Sequence, residues 1–186
     1  MNNQGTHDTP PILTLLGADN AEALSTKDMR AAYRLSAAER KRGMQRLQLA
    51  AMLSYSFPGS PTLFYGDEAG MQGFEDPLNR GTYPWGHEDA ELVEFYRTLG
   101  KLRSERPSMQ SGSIEYLHAQ GGALVLRRVL GDEVTVTALN NSDKPLVLTL
   151  PWGGSSASDA LSGQAFAVKD GILHLSVAAN SGMILI

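Results

Sequence analysis

The apolar positions along this chain follow two different periods. In the first 106 residues, helical spacing predicts one helix that starts at Ser36 and ends before Phe57, and another over residues 89–105. Ser36 and Glu39 have capping-box spacing, in which each residue satisfies a backbone N–H at a helix start. Residues 62–65 form a short apolar run without alternation, which is typical of a strand buried on both faces of a parallel sheet. This half of the chain therefore has α/β order.

Two shorter helices are predicted near the beginning of the chain. Residues 12–17 follow two prolines, with Thr9 as the expected N-cap and Gly17 as the stop signal. A second short helix is predicted around residues 27–34. The first of these helices places Asp8 at the mouth of a loop.

Beyond Pro107 the period changes to that of strands separated by turns rich in glycine, asparagine and aspartate. The predicted strands are residues 114–117, 123–129, 134–139, 146–150, 166–168, 172–177 and 183–186. Their spacing is typical of an antiparallel sandwich or barrel. We therefore expect two domains, residues 1–107 and 108–186, with an α/β fold followed by an all-β fold. Residues 153–158 carry only small side chains, and no strand is predicted there.

Composition narrows the classes of function. The chain has 186 residues, a net charge of -4, no cysteine and four scattered histidines, so we expect no metal, no cofactor and no nucleic-acid partner. No stretch approaches the roughly 20 apolar residues that span a bilayer, and we expect no membrane partner. No signal peptide is visible, which leaves localisation open and favours the cytoplasm.

Four segments occur in a specific order: GTHDTP at residues 5–10, FPGSPTLFYGDEAGM at 57–71, DPLNR at 76–80 and YPW at 83–85. This set resembles the end of the catalytic domain of the α-amylase superfamily, glycoside hydrolase family 13, in its neopullulanase and cyclomaltodextrinase branch. The resemblance implies the last two strand and helix units of a (β/α)8 TIM barrel, followed by the family's Greek-key β-sandwich, domain C. It also implies a retaining enzyme acting on starch, maltodextrin, pullulan or cyclodextrin.

The resemblance assigns roles to four residues. Asp8 would stabilise the transition state, His7 would hydrogen-bond the sugar at the cleavage point, and Asp76 and Arg80 would contact the glucan on its non-reducing side. Each has an alternative explanation: a helix N-cap with a neighbouring histidine for the first pair, and a surface salt bridge for the second. Asp67 and Glu68 are expected to stabilise their loop rather than catalyse.

Tyr83 and Trp85 could offer a sugar a stacking face or pack within their loop. The resemblance places the nucleophile and the acid/base on barrel strands that this sequence does not contain, so we expect the chain to be inactive alone. The alternatives are half of a split enzyme completed by a missing N-terminal barrel half, or a non-catalytic carbohydrate-binding module. An unpaired barrel strand also predicts self-association. Asn140, Asn141 and Ser142 match a glycosylation acceptor, although a hairpin turn explains them better.

Overall fold

The computed structural model describes all 186 residues, which form two compact units. Unit 1 comprises residues 1–54 and 60–97, and unit 2 comprises residues 55–59 and 98–186. The first 106 residues contain β1 (Asn2–Asn3), α1 (Ile12–Gly17), a 3-10 turn (Ala21–Ala23), α2 (Lys27–Ala32), α3 (Ala37–Ser56), β2 (Pro61–Thr62) and α4 (Ala90–Glu105).

The predicted helix starts are confirmed for the two long helices. At the start of α3 the Ser36 N–H donates to Glu39 Oε2 at 2.8 Å, and the Glu39 N–H donates to Ser36 Oγ at 3.3 Å. These are the reciprocal bonds of a capping box. At the start of α4 the Leu92 N–H donates to Asp89 Oδ1 at 3.0 Å.

The N-cap expected for α1 was wrong. Pro11 is the N-cap and makes no side-chain capping bond, so the helix starts at Ile12 rather than at a proline, and it includes Gly17. Thr9 Oγ1 instead accepts the N–H of Thr6 at 2.9 Å, so its capping capacity is used within the preceding loop.

The strand expected over residues 62–65 lies earlier and is shorter. β2 consists of Pro61 and Thr62, which pair in parallel with Asn2 and Asn3 of β1. The chain then leaves the strand because the Phe64 carbonyl accepts the Asp67 N–H at 3.2 Å, which begins a turn. Gly66 follows with a φ of 87°, in the left-handed region that favours glycine.

Close approach of α1 to α3 explains a glycine in the middle of a long helix. A Cβ at Gly43 of α3 would lie 2.9 Å from the Leu13 carbonyl oxygen and 3.0 Å from the Gly17 Cα in α1. Leu13 and Leu47 are fully buried here in unit 1. A larger side chain at position 43 would therefore push the two helix backbones apart.

Unit 2 combines a β-sandwich with one short helix and the second half of α4. It contains α5 (Pro107–Ser111), β3 (Ser113–Gln120), β4 (Ala123–Leu130), β5 (Glu133–Asn140), β6 (Leu146–Pro151), β7 (Ser156–Ser158), β8 (Ala165–Lys169), β9 (Ile172–Val177) and β10 (Ser181–Leu185). Two four-stranded sheets have the orders β10-β5-β4-β3 and β6-β9-β8-β7, with antiparallel pairing. Apolar residues from both sheets form one core.

The seven predicted strands are confirmed, while β7 and α5 were not predicted. β7 has the sequence Ser-Ala-Ser, and only its central Ala157 is buried. The sequence alternation is therefore too weak to mark a strand. Pro107 was expected only to follow a helix, and it begins α5 instead.

Strand β5 is buried on both faces, and polar side chains on it form hydrogen bonds with residues outside the sheet. Thr135 Oγ1 lies 2.8 Å from Ser108 Oγ, and Thr137 Oγ1 lies 2.7 Å from Ser56 Oγ. Arg128 of β4 is 1% exposed and donates to the carbonyls of Ser56 and Gly112. Hydrogen bonding thus satisfies polar groups that burial would otherwise penalise.

Asn140 leads into a turn, as expected, but this turn is not a hairpin, because β5 and β6 belong to different sheets. Asn140 is fully buried, and its Nδ2 donates to the carbonyls of Lys144, Val177 and Ala178. Its Oδ1 accepts from the Ser142 hydroxyl at 2.7 Å. The side chain is therefore committed to the turn after β5 and is not presented for glycosylation.

Candidate functional site

A tight turn at residues 6–9 presents two of the predicted site residues. The Thr6 N–H donates to Thr9 Oγ1, the Thr9 N–H donates to the Thr6 carbonyl at 3.2 Å, and the Asp8 N–H donates to Thr6 Oγ1 at 3.2 Å. The two threonines close the turn, so His7 and Asp8 lie at its tip. Their side chains are 66% and 73% exposed, which leaves both available to a ligand.

Asn79 attaches the second predicted segment to this turn. Its Nδ2 donates to the His7 carbonyl at 2.8 Å and to the Thr9 carbonyl at 3.1 Å. The residue is only 2% exposed, and its Oδ1 is buried without a partner. Asn79 belongs to the DPLNR segment, and no role was predicted for it from the sequence. The signal for such a role is weak, because asparagine in a loop usually indicates a turn.

All four predicted site residues come together around Arg80. Its Nε lies 2.7 Å from Asp76 Oδ2, and its Nη2 lies 3.8 Å from Asp8 Oδ1. His7 Nε2 lies 3.3 Å from Asp8 Oδ2. The surface salt bridge considered for Asp76 and Arg80 is therefore present, and it belongs to a cluster that also contains Asp8. We call these four residues the Asp8 cluster.

The Asp8 cluster adds little to stability through its ion pairs. Arg80 is half exposed, and the carboxylates of Asp8 and Asp76 are more exposed than that. Exposed ion pairs contribute about 0–1 kcal/mol. The charged groups are accessible to solvent and face one another within 4 Å, so they can exchange these contacts for hydrogen bonds to a ligand.

The loop acids Asp67 and Glu68 both bind backbone N–H groups. Asp67 is 2% exposed, and its Oδ1 accepts the Ile12 N–H at 3.5 Å. Burial raises the pKa of Asp67 to about 6, the bond from Ile12 lowers this pKa, and the nearby Glu68 raises it. Glu68 Oε2 accepts the Gly66 N–H at 2.9 Å. These contacts agree with the loop-stabilising role expected for both acids.

Two aromatic rings lie on the loop that follows the Asp8 cluster in sequence. Tyr83 and Trp85 have ring centroids 4.5 Å apart at an interplanar angle of 49°. Trp85 is 79% exposed, so the alternative of core packing fails for this ring. Burial raises the pKa of Tyr83, and Glu68 adds to that effect. Trp85 thus presents an uncovered aromatic face.

Neither metal binding nor membrane insertion is indicated by the geometry. No group of three or more His, Cys, Asp or Glu side chains is arranged to hold a metal ion. None of the helices combines the length and the apolar character that crossing a bilayer requires.

Comparison with known proteins identifies relatives for both halves of the chain. The sequence profile of the neopullulanase-like C-terminal domain matches residues 115–183. An amylopullulanase of Thermoanaerobacter thermohydrosulfuricus is 35% identical over the whole chain, and neopullulanase 2 of Thermoactinomyces vulgaris is 32% identical over 75% of it. The crystal structure of an Anoxybacillus α-amylase covers 77% of the chain with a TM-score of 0.72 and 32% identity.

The chain spans only part of each of these proteins. It corresponds to 13% of the amylopullulanase, 25% of neopullulanase 2 and 32% of the Anoxybacillus α-amylase chain. The alignment with the amylopullulanase covers all of the chain and therefore includes the positions of the Asp8 cluster.

Proposed function

We propose that this chain, which belongs to the neopullulanase-like branch of the α-amylase superfamily, glycoside hydrolase family 13, supplies sugar-binding and transition-state-stabilising residues for the retaining hydrolysis or transfer of α-glucans. The observation that supports this proposal is the convergence of Asp8, Arg80 and Asp76. Asp8 lies about seventy positions before Asp76 and Arg80 in the sequence, yet both carboxylates lie within ion-pair distance of Arg80 in unit 1.

Asp8 is assigned the central role. Glycosidic cleavage passes through a state with positive charge on the sugar ring, and hydrogen bonds to ring hydroxyls that strengthen there contribute several kcal/mol. The exposed Asp8 carboxylate is an acceptor suited to those hydroxyls. His7 binds the same sugar unit, while Asp76 and Arg80 bind the glucan on the non-reducing side.

The nucleophile and the acid/base are assigned to residues outside these 186. A retaining mechanism needs two carboxyl groups about 5 Å apart across the scissile bond. Asp8 and Asp76 are both directed to Arg80, and Asp67 is buried and occupied by a backbone N–H. In this proposal the acids of unit 1 bind and position the sugar, and another part of the enzyme performs the covalent chemistry.

The proposal places residues 1–107 at the end of a (β/α)8 barrel and residues 108–186 in a Greek-key sandwich. Its support is the parallel pairing of β1 with β2, since the chain between them forms helices α1 to α3. A parallel pair joined through helices is the repeating unit of such a barrel. The Asp8 turn and the loop after β2 then follow neighbouring strands, where barrel enzymes carry their sites.

Binding of maltoheptaose to the purified chain tests the sugar-contacting roles. The two tryptophans of the chain are Trp85 and Trp152, so a Trp152→Phe variant reports through Trp85 alone. We expect a saturable change of Trp85 fluorescence, and a loss of affinity of about tenfold in Arg80→Met. Arg97→Met is the matched control, because Arg97 pairs with Glu94 elsewhere on the surface of unit 1.

The role of Asp8 is tested in the longer enzyme that contains this segment. Asp8→Asn should lower kcat/KM on maltodextrin on the order of a hundredfold or more, and should change maltoheptaose affinity far less. Unchanged kcat/KM would refute the assignment. Reducing sugar released in sustained turnover by the 186-residue chain alone would refute the division of catalytic roles.

A further inference from the structure

The β-sandwich contains a cleft that the Asp8 cluster does not use. It has a volume of about 560 Å³, and its walls come from the N-cap of α5, strands β4 and β5 with the turn between them, and the segment after β6. The residues relevant here are Arg106, Arg127, Asp132, Glu133, Trp152 and Gly154. Small-molecule sites typically enclose about 300–1,000 Å³, so the size is suitable for a ligand. We call this feature the sandwich cleft.

The aromatic wall of the sandwich cleft is held in one orientation. Trp152 Nε1 donates to the Ser156 carbonyl at 3.1 Å, and the Trp152 N–H donates to the Gly171 carbonyl at 2.8 Å. Both groups are therefore bonded before any ligand arrives. Gly154 lies against the indole, and a Cβ there would sit 3.6 Å from Trp152 Nε1. The ring packs partly against the core of the sandwich, and the part that remains exposed offers a fixed apolar surface at little conformational cost.

The charged wall is also pre-arranged. Glu133 Oε1 accepts the Ser108 N–H at 2.7 Å, and Glu133 Oε2 lies 4.0 Å from Arg106 Nη1. Bonds to Ser108 and the nearby Arg106 lower the pKa of Glu133 despite its partial burial. Arg127 hydrogen-bonds Glu115 across the strands β3 and β4. These side chains keep their positions through contacts within unit 2.

The lining is balanced in charge, which limits the chemistry of the ligand. Arg106 and Arg127 are offset by Asp132 and Glu133, so neither an anion nor a cation finds a net opposite charge. The cleft instead offers both strong donors and strong acceptors beside an aromatic face. A neutral ring with many hydroxyl groups matches that combination, because each hydroxyl can donate and accept.

We propose that the sandwich cleft is a second, non-catalytic binding site for an uncharged oligosaccharide, an α-glucan segment that stacks on Trp152. The substrate class rests on the proposed function of the chain. The site itself rests on the cavity, the fixed indole and the balanced donors and acceptors of unit 2. Its role is to bind glucan through residues that take no part in bond cleavage.

The two tryptophans allow each site to be observed separately. In a Trp85→Phe variant of the full chain only Trp152 fluoresces, and we expect maltoheptaose to change this emission saturably. A second comparison uses calorimetry on a chain that carries Trp85→Phe and Arg80→Met. Adding Trp152→Ala to this chain should weaken its affinity for maltoheptaose about tenfold. Tyr116→Ala is the matched control, because Tyr116 is an exposed aromatic residue of β3 that does not line the cleft.

A second variant guards against loss of folding in Trp152→Ala. Asp132→Ala changes an exposed turn residue, and it should weaken binding severalfold while the circular dichroism melt is unchanged. Absence of any Trp152 response to maltoheptaose would overturn the proposal, and so would a response equally strong with inorganic phosphate. Trp85 reports on unit 1 independently. A missing Trp152 response therefore does not contradict the proposed function, and a missing Trp85 response alone does not contradict the binding site in the sandwich cleft.

Discussion

Replacing Asp67 by asparagine should make unit 1 more stable at neutral pH than the natural side chain does. Asp67 is almost completely buried, and its Oδ2 has no hydrogen-bond partner. The backbone comes so close that a Cβ at Gly5 would lie 2.7 Å from this oxygen. The ionised carboxylate is therefore poorly solvated, which is why its pKa rises to about 6.

The magnitude follows from that pKa. The ordinary value is 3.8, so the folded state holds its proton more tightly than the unfolded state does. The resulting stabilisation is full below pH 3.8 and is lost as the pH rises through 6. The difference between the two pKa values, at 1.36 kcal/mol per pH unit, corresponds to about 3 kcal/mol of unfolding free energy. Between pH 4.5 and 8 the measurable part is about 2 kcal/mol.

Asparagine is neutral throughout, so Asp67→Asn should lack this pH dependence. Urea unfolding followed by Trp85 fluorescence, in a Trp152→Phe background, compares the two proteins from pH 4.5 to 8. The stability of the variant relative to the parent should rise by about 2 kcal/mol over this range. Glu94→Gln, which alters an exposed acid, is the control. A relative stability that stays constant within about 0.5 kcal/mol would refute the reasoning.

Two further predictions concern unit 2 and the association of the chain. Arg128→Met should destabilise the sandwich by about 3 kcal/mol, because the buried carbonyls of Ser56 and Gly112 lose their donor. Urea unfolding followed by Trp152 fluorescence measures this loss of stability. A smaller loss than that caused by Arg127→Met would contradict the prediction. The β1–β2 sheet has two residues in each strand, and so short a pair needs further strands for stability. Light scattering should therefore detect self-association of the chain. A monodisperse monomer at a protein concentration of roughly 100 micromolar would contradict that prediction.

The elements that sequence patterns predicted well are those in which one local rule dominates. The capping box fixed the start of α3, and strict alternation located β9 at Ile172–Val177 as predicted. By contrast, β7 is recognised only by its pairing with β8, since a Ser-Ala-Ser segment has no hydrophobic pattern of its own. β2 is shorter than the apolar run at residues 62–65 predicted, because a turn forms at residues 64–67.

The candidate site also contains residues that could be predicted from the sequence and residues that could not. The four residues of the Asp8 cluster were identified through a family resemblance, and no period or charge pattern would have paired residue 8 with residue 80. Asn79 was missed, since its importance lies in two bonds to carbonyls about seventy residues away. The burial of Asp67 was also not predictable, because an acid in a glycine-rich loop normally indicates solvent exposure.

The positions of the charged groups in the Asp8 cluster are determined by neutral hydrogen bonds rather than by their own ion pairs. Two threonines close the turn that carries His7 and Asp8, and buried Asn79 attaches this turn to the segment that carries Arg80. The two carboxylates and one guanidinium of the cluster carry a formal net charge of -1. In the proposed function this negative charge would stabilise a developing oxocarbenium, because the backbone that carries the charged groups needs no reorganisation. The same groups are exposed, so their mutual contacts can be exchanged for contacts with sugar at small energetic cost.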